Sequence, residues 1–370
     1  MTEVEVSQRT SAAPPEEFAG KPFPRAIRRT GKPIDLASLN RHPAWRSEAA
    51  ERQRETARRY AAQRLRREDC PICDGTAGAR FTQIFEYEYK ECGQCGHIFC
   101  STPVHPDALA KVYAGEESER CPQAMVYLDE DLYRSRVRLI AQPKVDFVSS
   151  IAGPRGTWVD IGCGAGELLE AALLAGWIPK GYECDPDEAE FGRARGLHIV
   201  QEFINTANVS GAVAGATVVS LINVLEHIPD PQALLGLLSA ATPPHALIVF
   251  EVPRHPSLSA FTNRVFPQLA SRHIYPPEHL HIFTEHSAQH MLTKAGLDAA
   301  AVWTFGQDYY DLISCAEASA GSPGDRLYGL LAGISTQMQA VIDASGLADT
   351  LFVIARKAAK DPVQRTPSSL

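Results

Sequence analysis

Between residues 157 and 253 short apolar runs alternate with stretches whose apolar positions recur at helical spacing. Trp158–Ile161, Lys180–Glu183, Ala216–Asn223 and Ala246–Pro253 read as strands, rich in β-branched and aromatic residues. Glu167–Ala175 and Pro231–Ala241 carry the three-to-four-residue period of helices. Near the end, Thr350–Ala355 is again a strand pattern that would close the sheet. Strand and helix taking turns in this way predict an α/β fold with a doubly wound, mainly parallel sheet.

The first strand ends in Asp160, and Gly162, Gly164 and Gly166 follow at alternate positions. Glycines there let the chain turn tightly and come close to a ligand without a Cβ in the way. Strand, glycine turn and helix form the nucleotide-binding entry of a doubly wound domain. The spacing departs from G-x-G-x-x-G, because the third glycine comes one residue early and Glu167 opens the helix. A carboxylate at that point repels a pyrophosphate but accepts a ligand with a cationic end. A nicotinamide dinucleotide is therefore disfavoured. The next strand ends in Glu183, placed to accept hydrogen bonds from ribose hydroxyls. Asp185, ahead of Pro186, suits the cap of the following helix.

The run Asp160-Ile-Gly-Cys-Gly-Ala-Gly resembles motif I of the class I S-adenosylmethionine (SAM) dependent methyltransferases. Asn223-Val-Leu-Glu-His-Ile-Pro-Asp-Pro and Pro277-Glu-His-Leu-His-Ile-Phe-Thr are similar to segments of a subgroup that includes the ubiquinone O-methyltransferases. The likeness spans roughly residues 135–305. It implies a Rossmann-like fold with a seven-stranded sheet, and SAM as cofactor. The implied cofactor contacts are Asp160, Gly162, Cys163, Gly164, Gly166, Glu183, Cys184 and Asn223.

Cys70-Pro-Ile-Cys73 and Cys92-Gly-Gln-Cys95 are two close pairs separated by a segment, residues 80–90, that alternates like a hairpin strand. Four thiolates on two knuckle turns suit a tetrahedral, structural Zn²⁺ with no open position for water. This resembles a zinc ribbon. A ribbon ahead of a SAM domain is similar to the sugar C-methyltransferases and their relatives in secondary metabolism. Those enzymes carry a further C-terminal domain, and no counterpart to it is expected here from residues 359–370. They also place tyrosines between ribbon and SAM domain, the region that here holds Tyr113, Tyr127 and Tyr133. Cys100 and Cys121 break the ligand spacing and read as ordinary thiols.

Composition changes the picture only modestly. The net charge of −8 argues against a dedicated nucleic-acid binder. Residues 1–69 are basic, with Arg52, Arg54, Arg58, Arg59, Arg64, Arg66 and Arg67 clustered toward their end, and the remainder is acidic. That cluster reads either as a solvated helix packed on an acidic body or as a clamp for a phosphate-bearing or carrier-linked substrate. The start is acidic and without an apolar core, so no leader is expected. Residues 203–225 lack charge but hold too many Asn, Ser and Gly for a membrane span. A cytoplasmic protein is expected, with its oligomeric state open. The expected layout is disorder over 1–42, an Arg-rich helix over 43–69, the ribbon over 70–105, a helical connector or substrate lid over 106–134, the SAM domain over 135–358 and a flexible tail over 359–370.

Methyl transfer by in-line displacement needs alignment and, for a hydroxyl or enolisable carbon, a base. His227 lies just past the fourth strand, where ligands of such sheets collect, and imidazole titrates near neutrality. It is the expected general base, oriented by Glu226. Tyr113, His279 and His281 are candidate substrate contacts. In an extended segment both histidines would point to one side, over the cleft. The expected function is SAM-dependent methylation of a hydroxyl or activated carbon on a small molecule, a sugar or secondary metabolite. Two alternatives stand beside it. One is a non-catalytic SAM-binding scaffold. The other is metal-assisted O-methylation through Glu226, His227 and His279, with Asn223 where small-RNA 2′-O-methyltransferases carry a first glutamate.

Overall fold

The structure is a computed structural model and describes residues 20–32, 45–114, 128–269, 272–320 and 324–358. In chain order the strands are β1 (Ile27–Thr30), β2 (Ala77–Ile84), β3 (Tyr87–Cys92), β4 (Ile98–Cys100), β5 (Thr157–Ile161) and β6 (Ile178–Glu183). They continue with β7 (Ile199–Gln201), β8 (Val218–Ile222), β9 (Leu247–Pro253), β10 (His281–Ile282), β11 (Leu297–Phe305) and β12 (Thr350–Lys357). Eight of them form one sheet in the order β1-β11-β12-β9-β8-β5-β6-β7. The pairs from β9 to β7 are parallel, and β12 runs antiparallel to both its neighbours.

The apolar runs are explained by burial on both faces. Every residue of β9 is buried, because helices cover the sheet on each side. One core cluster joins Val159, Val219, Phe250 and Val353 with Leu234 and Leu238 of the helix Pro231–Ala241. The opposite face packs Trp158, Val218, Val249 and Trp303 against Val145 and Val148 of the helix Gln142–Ile151. From β5 the chain steps one way to β6 and β7 and later the other way to β8 and β9. This reversal opens a crevice at the carboxyl ends of the strands, where doubly wound sheets bind ligands.

Three expectations change. The main sheet has eight strands rather than seven, and β1 comes from the segment expected to be disordered. Its backbone pairs in parallel with Ala301–Thr304. All four of its residues are exposed, so hydrophobic patterning gave no sign of it. The final strand does not close the sheet at an edge but lies between β9 and β11. The Arg-rich helix spans Trp45–Arg59 and stops before residue 64. Several of its arginines face its own glutamates (Arg52–Glu48, Arg54–Glu51, Arg59–Glu55), as on a solvated helix surface. Arg46 instead is buried against Asp311 at 2.7 Å. The expected tail, Cys121 and Tyr127 lie outside the described residues.

A second sheet has the order β10-β4-β3-β2. Its hairpin is the one expected between the cysteine pairs, turned by Phe85 and Glu86 at positive φ. Its fourth strand, β10, is donated by the large domain. The cysteine-bearing sheet is thus built on the α/β body rather than tethered to it.

Candidate active site

A cavity of ≈ 800 Å³ lies at the crevice. One side is made by a short stretch of chain. Gly162, Gly164 and Gly166 have φ of 66°, 55° and 94°, which other residues adopt only at a cost. The amides of Gly162 and Cys163 donate to the carbonyl of Tyr182, tying the turn to the end of β6. Gly162, Cys163 and Gly164 line the cavity. Gly166 does not. A Cβ there would lie 2.5 Å from Leu197, so this glycine serves packing of the turn.

Glu183 is held in place by the backbone. Its Oε2 accepts from Gly164 N at 2.9 Å, and its Oε1 accepts from Cys184 N and Asp185 N. Asp185 caps the next helix by accepting from Asp187 N and Glu188 N. Capping of that helix thereby falls to Asp185. Asp160 is 2 % exposed and accepts from Ser220 Oγ. Burial pushes its carboxyl up to about 7. Burial, with Glu183 and Asp185 nearby, pushes Glu188 up to about 8. Proton-poor acids are costly in this pocket until a cation enters it, which fits a sulfonium ligand with an ammonium end. Arg136, on Glu167 at 2.6 Å, and the buried Lys144, on Glu251 at 2.7 Å, also line the cavity. Sequence reasoning missed both, together with Glu188 and Phe203. Arg136 and Lys144 come from the helical segment before β5 and carry no local motif.

The other side of the cavity is assembled from distant segments. Tyr113 Oη lies 2.7 Å from His227 Nδ1 and 3.3 Å from the carbonyl oxygen of Glu278. The His227 and His279 rings meet edge to face, with centroids 4.5 Å apart. Burial brings His227 down to about 4, so the ring is neutral near pH 7. Asn223 lines the cavity with φ 54°, a conformation Asn tolerates. Glu226 is fully buried, and its Oε2 has no hydrogen-bond partner. The atom facing His227 Nδ1 is the Tyr113 hydroxyl, not the expected Glu226 carboxylate. Glu278 is likewise raised, to about 8, by burial.

His281 is placed differently from the expectation. Its ring lies away from the cavity, with Nε2 2.9 Å from the carbonyl of Ile228 and Nδ1 3.1 Å from His97 Nε2. The segment is not extended across both histidines. His279 N donates to Tyr275 O in a turn, and strand geometry begins only at His281. Tyr133 is buried and donates to Glu170, a packing role.

Cys70, Cys73, Cys92 and Cys95 gather their sulfurs on two knuckles. Asp74 and Gly96, each four residues after the first cysteine of its pair, take positive φ, and their amides donate back to Cys70 O and Cys92 O. The S–S separations recorded are 3.5, 3.6 and 3.7 Å. A zinc–sulfur bond of about 2.3 Å sets tetrahedral S–S edges near about 3.8 Å. The donor set and its spacing therefore suit one tetrahedral ion.

Residues 133–302 match the family model of a methyltransferase domain. That segment is similar to the methyltransferase domains this model describes. The chain is similar to the ubiquinone biosynthesis O-methyltransferase of Methylococcus capsulatus, at 26% identity over 151 residues, 39% of this chain and 63% of that protein. It is also similar to the enzyme of the same description from Stutzerimonas stutzeri, at 32% over 126 residues, 32% of this chain and 52% of that protein. The match thus spans less than two thirds of these relatives' length. Among solved structures, a SAM-dependent methyltransferase from Archaeoglobus fulgidus aligns over 63% of this chain and 99% of its own, with TM-score 0.41 and 18% identity. A mycolic acid cyclopropane synthase solved with SAH and CTAB aligns over 67% of this chain and 98% of its own, with TM-score 0.45 and 14% identity. The methyltransferase match begins beyond the cysteine-bearing sheet and takes in β10, the strand that completes it.

Proposed function

We propose that the protein transfers the methyl group of SAM to a hydroxyl or activated carbon of a small molecule, a sugar or secondary metabolite. The observation that carries this reading is one cavity joining the glycine turn and Glu183 to the Tyr113–His227 pair. SAM supplies a methyl group already activated on a sulfonium. Glu183 holds the ribose, Asp160 meets the ammonium, and Arg136 and Lys144 meet the carboxylate. The Tyr113 hydroxyl passes its proton to His227 Nδ1 as it takes one from the acceptor. Burial keeps His227 uncharged near pH 7, so the ring is not already protonated when the acceptor binds. Cys70, Cys73, Cys92 and Cys95 hold a structural Zn²⁺.

Calorimetry with SAM and with S-adenosylhomocysteine, followed by a labelled-methyl assay on phenolic, sugar and polyketide acceptors, tests the reading. Micromolar binding and label transfer support it. Binding without transfer to any acceptor favours a SAM-binding scaffold, and no binding refutes it.

One observation favours a second reading. Ligand atoms of Glu226, His227 and His279 lie within 4.8 Å of one another, and Glu226 Oε2 is unpartnered. These three could hold a divalent cation that lowers the acceptor's pKa in place of a base. Turnover abolished by EDTA and restored by Mg²⁺, with zinc still bound, selects it.

A further inference from the structure

The cysteine-bearing sheet does more than sit beside the methyltransferase domain, because carbonyls of the loop bearing His279 bond directly to it. Tyr89 of β3, fully buried, donates its hydroxyl to the carbonyl of His279 at 2.8 Å. Cys100 N of β4 donates to Leu280 O, and Leu280 N donates to Glu226 O at 2.7 Å. The segment bearing His279 and the turn bearing His227 are therefore stitched together and to the same sheet.

His97 completes the connection. It follows the second knuckle directly, and its carbonyl accepts from Cys92 N at 2.8 Å. Its Nε2 lies 3.1 Å from His281 Nδ1, and His281 Nε2 lies 2.9 Å from Ile228 O. A carbonyl only accepts, so His281 carries its proton on Nε2 and offers a lone pair at Nδ1. His97 must then donate from Nε2 and accept at Nδ1, where Ser287 Oγ lies 3.3 Å away. The direction of the whole chain is set from Ile228 back to the knuckle. On the same side, Thr284 Oγ1 donates to Cys95 O at 2.7 Å. Both His97 and His281 are buried, so no water replaces a lost partner.

We infer that His97 is a positioning residue for the transfer reaction, relaying the geometry of the four-cysteine knuckle through His281 to the loops that carry His227 and His279. This rests on the proposed transfer and zinc site, and it extends them. The ion fixes the Cys92–His97 turn, the turn fixes the His97 ring, and the ring pair fixes Ile228 one residue beyond His227. The cofactor side, built from β5, β6 and the glycine turn, receives none of these bonds. Loss of the ion or of His97 should loosen the acceptor side and spare the cofactor side.

The test uses the full chain, purified with its metal content measured. Amide exchange is followed by mass spectrometry with and without zinc removal, and in His97→Phe, which keeps the ring's bulk beside Phe283. Exchange over residues 278–283 and 226–229 should rise at least about tenfold on zinc removal and in His97→Phe. Residues 160–166 and the SAM dissociation constant should change by less than about threefold. Turnover of His97→Phe should fall about tenfold or more with zinc content unchanged, and His97→Gln, whose amide can both donate and accept, should recover part of it. Unchanged exchange at 278–283, or equal loosening of the glycine turn and SAM affinity, overturns the inference. If the wild type transfers no methyl group, the functional reading falls while the exchange measurement still judges the histidine chain. If the purified chain binds no zinc, the zinc assignment and this relay from an ion both fall.

Discussion

The two sides of the cavity are built on opposite plans. The cofactor side takes most of its parts from one stretch of chain between Asp160 and Glu188, where strand, turn, strand and helix cap follow each other directly. The acceptor side gathers Tyr113, His227 and His279 from three separate segments, Tyr113 lying 114 residues before His227. Local sequence dictates the first, whereas tertiary packing against a second sheet dictates the other. A cofactor shared by many enzymes can be held by a contiguous motif. The proposed acceptor site depends on contacts that the motif does not contain.

The largest expected effect attacks the contiguous side. Gly164→Val forces a β-branched side chain into φ near 55°, a left-handed conformation costing about 1–2 kcal/mol even for unbranched residues. It also puts methyl groups into the cofactor's path. SAM affinity by calorimetry should drop about a hundredfold, the energy being the sum of strain and lost contact. Retained affinity would show that the turn does not touch the cofactor.

On the assembled side, His227→Ala should leave SAM binding within about twofold and cut turnover at least about tenfold. Unchanged turnover would remove His227 from the chemistry and with it the contrast between the two sides. Tyr113→Phe should act in the same direction through the same proton path.

A pH titration sharpens the comparison further. Asp160 stands raised to about 7 by burial, so it is largely protonated in the free protein below that pH. A ligand ammonium favours its carboxylate form, and binding releases the proton. SAM affinity should therefore rise about tenfold from about pH 6 to about pH 8, with proton release visible as buffer-dependent heat. His227, already neutral there with its pKa at about 4, should add nothing to this profile. A flat profile would mean that Asp160 is already ionised.

The smallest effect lies outside the cavity. Arg29 of β1 sits over the Trp303 ring, 3.9 Å from its centroid. Arg29→Ala should lower stability to urea by about 1 kcal/mol and leave SAM binding unchanged. A change in binding would tie this sheet edge to the site.

Much of this architecture was legible in the sequence, for physical reasons that also mark the boundary. Doubly covered strands such as β8 and β9 are apolar at most positions, so their runs stand out. The left-handed turn needs glycines, and the knuckles need cysteines at fixed spacing. By contrast, Ile27–Thr30 buries none of its side chains, and no hydrophobic pattern betrays its pairing. His279 and His281 look equivalent on an extended segment, but the turn from Tyr275 to His279 sends only the first to the cavity. The Tyr113–His227 contact, spanning 114 residues, leaves no local trace.

The strand Ile27–Thr30 has one more consequence. It covers one side of β11, whose amides and carbonyls would otherwise stand as a bare template for a foreign strand. A shortened chain beginning after residue 32 would keep every chemical group of the cavity yet be prone to clump, and poor recovery of such a fragment would speak of sticky flanks, not of a broken catalyst.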